Sequence, residues 1–344
     1  MKILLIRFSS IGDIVLTTPI IRCTRARYPN AEIHFATKHQ FKSILENNPH
    51  LDKVFTLHDD IQPLALELIK ERYDLVIDLH KNLRTRYIGS LLRQVFNSNV
   101  RILRFKKLNL RKWFLVNLKW NNMPDKSIVD RYFDAVLSEG ITNDGQGMDY
   151  FIPEKDELKK DDLPMSHTHG FIVCSVGGQH ETKKMPLSKW RELCSNIQYP
   201  LIIVGGREDS AVGEQLAAID PVRIYNACGK FNLNESADII RRSKLVITHD
   251  TGMMHIAAAF KKKIISIWGS TVPEFGMFPY YGFNTIKRTI SPQSILIQNK
   301  VSCQPCSKIG YKSCPKKHFN CMQGIDLQAI EQAVTNLLND PAKK

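Results

Sequence analysis

Three segments and one group of cysteines carry the residue types that can do chemistry. The first is FSSIGDIVLTTP, Phe8 to Pro19, which follows an apolar run and opens a helical pattern. Ser9, Ser10 and Gly12 are small enough for close backbone approach, and Asp13 stands at the start of the helix. A carboxylate there has two readings: a helix cap favoured by the positive helix end, or a catalytic base. The second segment is VGGQHETKKMP, Val176 to Pro186, where Gly177 and Gly178 expose backbone N–H groups and Lys183 or Lys184 offers a point charge to a phosphate. The same residues also describe an ordinary glycine turn with surface lysines. The third is VITHDTGMMHIAAAF, Val246 to Phe260. A buried strand ends at His249 and Asp250. Thr251 and Gly252 then turn into a helix whose first N–H groups suit a diphosphate. His255 lies on the first turn, either pointing at that place or serving as a satisfied core histidine.

The cysteines are Cys303, Cys306, Cys314 and Cys321, spaced C-x2-C-x7-C-x6-C. They admit a tetrahedral structural metal site or a loop of reduced thiols without metal. Neither reading makes them catalytic.

Elements must hold these residues in place. Continuous runs rich in Ile, Val and Leu read as buried parallel strands at Lys2 to Phe8, Glu32 to Ala36, Lys53 to Leu57 and Asp74 to Leu79. The second half repeats the pattern at Phe171 to Val176, Leu201 to Val204, Leu245 to Thr248 and Ile264 to Trp268. Amphipathic stretches alternate with them, which is the signature of βαβ units. The polar piece Ile152 to Gly170 reads as a linker, and Asp326 to Leu338 as a helix capped by Asp326. The expected organisation is therefore a Rossmann-like domain over 1–155, a second over 165–325, and a helix and tail over 326–344. In such sheets ligands bind beyond the carboxyl ends of the strands, where all three segments lie.

The 344 residues suit two domains, and 43% apolar with 24% charged residues is a globular composition. The net charge of +14 calls for an anionic partner. Two stretches concentrate it. Leu79 to Met123 has no acid but carries Lys81, Arg84, Arg86, Arg93, Arg101, Arg104, Lys106, Lys107, Arg111, Lys112 and Lys119. Phe275 to Ile325 is also free of acids and carries Lys287, Arg288, Lys300, Lys308, Lys312, Lys316 and Lys317. Within the first stretch, Arg101 to Trp120 mixes cations with Trp113, Phe114, Leu115, Leu118 and Trp120. That is the composition of a helix or loop on an anionic membrane surface, or of a solvated basic face. Nucleic acid is disfavoured because no zinc-finger, RRM or KH pattern is present. No run reaches the length of a membrane span. The apolar N-terminus is broken by Arg7 and Asp13, so a first strand fits better than a signal peptide and the expected compartment is the cytoplasm.

Taken together the segments resemble the family 9 glycosyltransferases, the ADP-heptose:lipopolysaccharide heptosyltransferase family. Ser9 to Pro19 resembles its first-strand motif, and His249 to Ala259 is similar to its Asp-Thr-Gly-x-x-His-x-x-Ala motif. Val176 to Pro186 resembles its Pro-Gly-Ala…Lys-Arg-Trp-Pro segment, departing at Val176, Gly178, Lys184 and Met185. The segment with Cys303, Pro305, Cys306, Cys314, Pro315, Cys321 and Met322 is also similar to one found in many members.

The resemblance implies a GT-B fold, two Rossmann-like doubly wound domains facing across a cleft. It implies an inverting transfer that requires no metal or other cofactor, with a nucleotide sugar, ADP-heptose, as donor. Asp13 would be the general base, its basicity raised by partial dehydration. Gly177, Gly178, Lys183, Asp250, Thr251, Gly252 and His255 would bind the donor, Lys183 neutralising the departing diphosphate. Ser10, Gly12, Lys81, Arg84 and Arg86 would meet an anionic lipid-linked glycan, at the inner face of the cytoplasmic membrane. Other readings keep the fold and change the sugar, make the chain a nucleotide-sugar epimerase or nucleotide-dependent oxidoreductase, or make it a basic nucleic-acid- or membrane-binding protein without catalysis. The missing G-x-G-x-x-G counts against the epimerase and the oxidoreductase. The last reading leaves Asp13 and Asp250-Thr251-Gly252 unexplained.

Overall fold

The computed structural model describes residues 1–95, 100–288 and 294–339. The chain divides into two compact units, the first made of Met1–Lys107 and Lys126–Phe151, the second of Leu108–Asp125 and Ile152–Lys344. The last residues of the expected tail, 340–344, lie outside the described part.

The first unit holds one parallel sheet of β1 (Lys2–Ile6), β2 (Glu32–Lys38), β3 (Lys53–Leu57), β4 (Leu75–Asp78) and β5 (Arg101–Arg104), in the order β3-β2-β1-β4-β5. Its register sets Ile3 beside both Ile33 and Leu75. Every residue of β4 is buried, which is why its sequence is a plain apolar run ending in Asp78. The helices are α1 (Ile11–Val15), α2 (Thr18–Arg27), α3 (Ile61–Lys70), α4 (Leu83–Val95) and, later in the chain, α6 (Ile128–Val136). Local chemistry sets their starts. Asp60 accepts from Gln62 N at 3.1 Å to cap α3, and Ser127 Oγ accepts from Asp130 N at 3.1 Å to cap α6.

The second unit includes α5 (Asn109–Leu118), although its sequence neighbours lie in the first. Its sheet contains β6 (Ile172–Ser175), β7 (Leu201–Val204), β8 (Ile224–Asn226), β9 (Leu245–His249), β10 (Lys263–Trp268) and β11 (Ser294–Gln298), in the order β11-β10-β9-β6-β7-β8. All described pairings are parallel. The helices are α7 (Leu187–Asn196), α8 (Ser210–Ala217), α9 (Leu233–Arg242), α10 (Gly252–Ala259), α11 (Asn320–Gln323) and α12 (Leu327–Asn339). Asp326 Oδ1 accepts from Ala329 N at 3.2 Å, the cap expected for α12, and α12 places Ile330 in the same core as Trp190, Ile203 and Ile265.

Both sheets reverse their strand order beside the first strand, between β1 and β4 and between β6 and β9. A doubly wound sheet opens a crevice at that point.

The structure departs from the sequence reading in three places. Arg101 to Trp120 is not one basic helix or loop: β5 takes its start and α5 its end. β8 and β11 were not expected as strands. The piece from Ile152 to Gly170 is not a loose tether. Leu158 N donates to the buried Asp238 at 2.8 Å, Asn234 Nδ2 to Asp156 at 2.8 Å, and His167 Nε2 sits 3.0 Å from Leu201 O, so the piece is bonded to the second unit.

Candidate active site

In the first unit, Asp13 lies where β1 gives way to α1. One carboxylate oxygen stands 2.5 Å from Arg7 Nη2. The other accepts from Ser10 N at 3.1 Å and Ser10 Oγ at 3.0 Å. Arg7 is itself buried and fixed, donating to Ser9 O at 2.9 Å and Leu79 O at 2.7 Å. Burial works against the Asp13 anion. The Arg7 charge and the Ser10 bonds outweigh it and hold the carboxyl down at about 2. This corrects the expectation that dehydration makes Asp13 more basic: the nearby guanidinium wins. Gly12 is buried in the same turn.

The loop after β4 is shaped by Asp78, whose buried carboxylate accepts from His80 N at 3.0 Å, Lys81 N at 2.6 Å and Thr85 Oγ1 at 2.8 Å. Lys81 sits at φ +50°, in the left-handed region, where the Asp78 bond holds it. Arg84 and Arg86 are exposed on the first turn of α4. His80 meets Phe8 edge-on at 5.6 Å, and burial, with Arg7 and Lys107, pushes its imidazole down to about 3, so it is neutral.

The Arg7–Asp13 pair fixes a pH response. Asp13 stays ionised until pH falls towards 2, and the pair's stabilisation is complete above about pH 4 and lost below it. Arg7→Met removes the attraction and leaves the burial, so the Asp13 pKa rises. If Asp13 is the catalytic base, the acidic limb of kcat/KM then moves up in pH, which rate profiles from about pH 4 to 8 detect. Superimposable profiles would deny Asp13 any role in the rate.

In the second unit, Lys183 ends a tight turn after β6. Its ammonium is 2.6 Å from Asp250 Oδ2 and 3.3 Å from Asp250 O. The same Asp250 oxygen accepts from Thr271 Oγ1 at 2.7 Å. Asp250 follows β9, Thr251 precedes α10, and Gly252 is its first residue. His255 is buried one turn in. Gly177 and Gly178 complete the arrangement. A side chain on Gly177 would come within 2.5 Å of Asp209 Oδ2, and one on Gly178 within 3.2 Å of Thr251 Cγ2. The loops after β6, β7 and β9 therefore touch through glycine.

Lys184 points elsewhere, 3.2 Å from Asp209 and 2.8 Å from Glu181. His249 faces inward, accepting from Met185 N at 2.9 Å and meeting Trp190 edge-on at 5.5 Å; burial pushes it down to about 4. Beside these residues lies a cavity of about 960 Å³, with Met185, Leu187 and Phe319 among its apolar walls and Lys184, Glu208 and Asp209 among its polar ones.

Each unit thus gathers its own residues. Arg7, Asp78, Glu208 and Asp209 were missed in the sequence. Arg7 reads there only as an interruption of an apolar run. The signal for the other three was position, since Asp78 ends one strand and Gly205-Gly206 follow another.

A family model described as "Glycosyltransferase family 9 (heptosyltransferase)" matches residues 61–317. The chain belongs to this family. It is 26% identical over 307 residues to lipooligosaccharide heptosyltransferase 2 of Haemophilus influenzae, spanning 80% of this chain and 85% of that one. A family 9 glycosyltransferase structure from Veillonella parvula superposes with a TM-score of 0.75 at 20% identity, covering 98% and 97% of the two chains. The Escherichia coli heptosyltransferase WaaC, solved with ADP-2-deoxy-2-fluoro heptose, gives 0.65 at 16% identity over 98% and 99%. The fold of this family 9 enzyme is thus GT-B, built of two Rossmann-like units.

The cysteines of this family 9 chain are free thiols. Cys303 Sγ lies 3.7 Å from His318 Nε2, and burial pushes the Cys321 thiol up to about 12. Among the described residues the three ligating side chains that lie within 4.8 Å of one another are Glu32, His34 and Glu71, and the thiols form no such group of three. The Lys2 ammonium already bridges that trio, 3.0 Å from Glu32 and 2.7 Å from Glu71. The cysteine loop has a visible structural task. Tyr311 N donates to Thr182 Oγ1 at 2.8 Å, Thr182 N donates to Tyr311 O at 3.2 Å, and Thr182 Oγ1 donates to Ser270 Oγ at 2.9 Å. These bonds brace the turn that carries Lys183.

Proposed function

We propose that the protein transfers a heptose from ADP-heptose to a lipopolysaccharide-core or surface-glycan acceptor, with inversion and without a metal. The observation that carries this reading is the Lys183–Asp250–Thr271 lock beside Gly177, Gly178 and the start of α10. It fixes the Lys183 ammonium beside the N–H groups at the start of α10, a preorganised set of donors for a diphosphate. The names of the relatives support the acceptor, and the nucleotide sugar bound by the matching Escherichia coli structure supports the donor.

In this reading Asp13 takes the proton of the acceptor hydroxyl. The freed oxygen attacks the anomeric carbon, the bond from that carbon to the diphosphate breaks, and its electron pair stays on the leaving phosphate oxygen. Lys183 and the backbone N–H groups around Thr251 and Gly252 meet that charge. His255, buried one turn into α10, is assigned to the same donor site. The cavity beside Met185 takes the nucleoside, with Glu208 after β7 placed for ribose hydroxyls, as an acid is in other Rossmann folds. Arg7 keeps Asp13 ionised and ready at every working pH, at some cost in basicity.

Titration calorimetry with ADP-heptose, and with UDP- and GDP-sugars beside it, tests the donor. Binding to the ADP-sugar alone, unchanged in Asp13→Ala, is the expected result. Equal binding to all three would remove the donor assignment.

Ser10, Lys81, Arg84 and Arg86 are assigned to an anionic, lipid-linked acceptor used at the inner face of the cytoplasmic membrane. The double substitution Arg84→Glu with Arg86→Glu raises the acceptor KM by about 10-fold or more and leaves the donor KM near its starting value. Equal losses for both substrates would reject this assignment.

A further inference from the structure

The two acid-free stretches are far apart in sequence, yet the structure joins them. Lys119 at the end of α5 donates from Nζ to Val116 O at 2.8 Å, Cys303 O at 2.8 Å and Pro305 O at 2.7 Å. All three ammonium donors are used, so this cation is a fastener rather than a free charge. It also lies near enough to feel Lys316.

The helix it fastens has two apolar faces. Leu115 is buried against Val272 and Phe275. The face at i, i+3 and i+8 is left open: Leu110 is 66% exposed, Trp113 46% and Leu118 58%, and Trp120 just beyond the helix is 59% exposed. Phe114 lies between the two indoles, 5.5 Å from each ring. Arg111 and Lys316 are exposed, as are Lys308, Lys312 and Lys317 on the loop. No acid occurs in either segment.

We infer that α5 and the cysteine loop form a docking face for an anionic phospholipid bilayer. Open apolar side chains and cations without acids are what a bilayer interface attracts. The indoles suit the depth of the headgroups, and the lysines and arginine the negative surface. A protein partner would ask for a shaped, less cationic patch. The inference deepens the lipid-linked acceptor reading and rests on it. It adds which surface carries the enzyme to the lipid.

The four tryptophans make the test direct. Trp190 and Trp268 are fully buried, so a change of emission on binding reports Trp113 and Trp120. The full chain is mixed with vesicles of phosphatidylglycerol and phosphatidylcholine, or of phosphatidylcholine alone. The expected result is co-sedimentation with the anionic vesicles, a blue shift, and protection of emission from acrylamide. Trp113→Ser with Trp120→Ser lowers the partition coefficient by about 10-fold or more, and Arg111→Glu with Lys316→Glu by a similar factor. Emission of the unaltered chain keeps the test decisive if either variant folds poorly. No vesicle binding, equal binding to neutral vesicles, or binding unchanged in the tryptophan variant would overturn the inference. So would indole quenching by single-stranded DNA without vesicle binding, which would make the face a nucleic-acid surface. Transfer to a delipidated, water-soluble acceptor is measured alongside. It is expected to persist in both variants, and its absence in the unaltered chain would count against the transfer reading rather than the docking face.

Discussion

Replacing Asp13, the proposed base, with Asn lowers kcat by about 100- to 10,000-fold while the proposed donor ADP-heptose still binds, because the amide keeps the shape and cannot take the acceptor's proton. Ser10 N and Ser10 Oγ can still donate to the amide oxygen. Arg7 loses its counterion while remaining buried, so the thermal midpoint also falls. These effects separate. Arg7→Met in the Asp13→Asn background removes the stranded charge and returns part of the midpoint without returning the rate. Single-turnover transfer and thermal melts of the four proteins check it. If Asp13→Asn transferred normally and only melted earlier, Asp13 would be a cap and a counterion, the other reading its position allowed.

Lys183→Gln costs about 100- to 1,000-fold in kcat, with a smaller effect on donor affinity, if the ammonium acts, as proposed, where charge builds on the leaving diphosphate. Its present partner explains the placement. Asp250 holds the ammonium at 2.6 Å and is held in turn by Thr271. Lys184→Gln, one residue on, is the comparison. Its ammonium serves Asp209 and Glu181, so it loses stability more than rate. Equal rate losses at both positions would mean that the turn needs positive charge in general and that neither lysine meets the leaving group.

Much of this was legible in the chain. The eight strands read from apolar runs are present, because most of them are buried on both faces and so keep a nearly continuous apolar sequence. β5 and β8 escaped for the opposite reason. Arg101–Arg104 begins and ends in Arg, and Ile224–Asn226 is only three residues long. The glycines at 177 and 178 and the Asp250-Thr251-Gly252 turn were readable because close backbone approach restricts residue type. Partner choice was not readable. Lys119 looked like one cation among many until three carbonyls were seen around it. Asp13 looked like a carboxylate made basic by burial until Arg7 proved to be its neighbour.

The chain passes between its two units at Lys107, Asp125 and Phe151. During synthesis α5 leaves the ribosome long before Val272 and Phe275, the residues that cover Leu115. At roughly 5–20 residues per second the helix waits on the order of ten to thirty seconds for them, with both of its apolar faces open. A nascent chain in that interval is a natural client for a chaperone. Cutting the gene after Phe151 would make the wait permanent. The shorter product would carry α5 without the surface it packs on, and the longer one would carry Val272 and Phe275 uncovered, so two fragments expressed apart would each be prone to aggregate and expressed together would have reason to find one another.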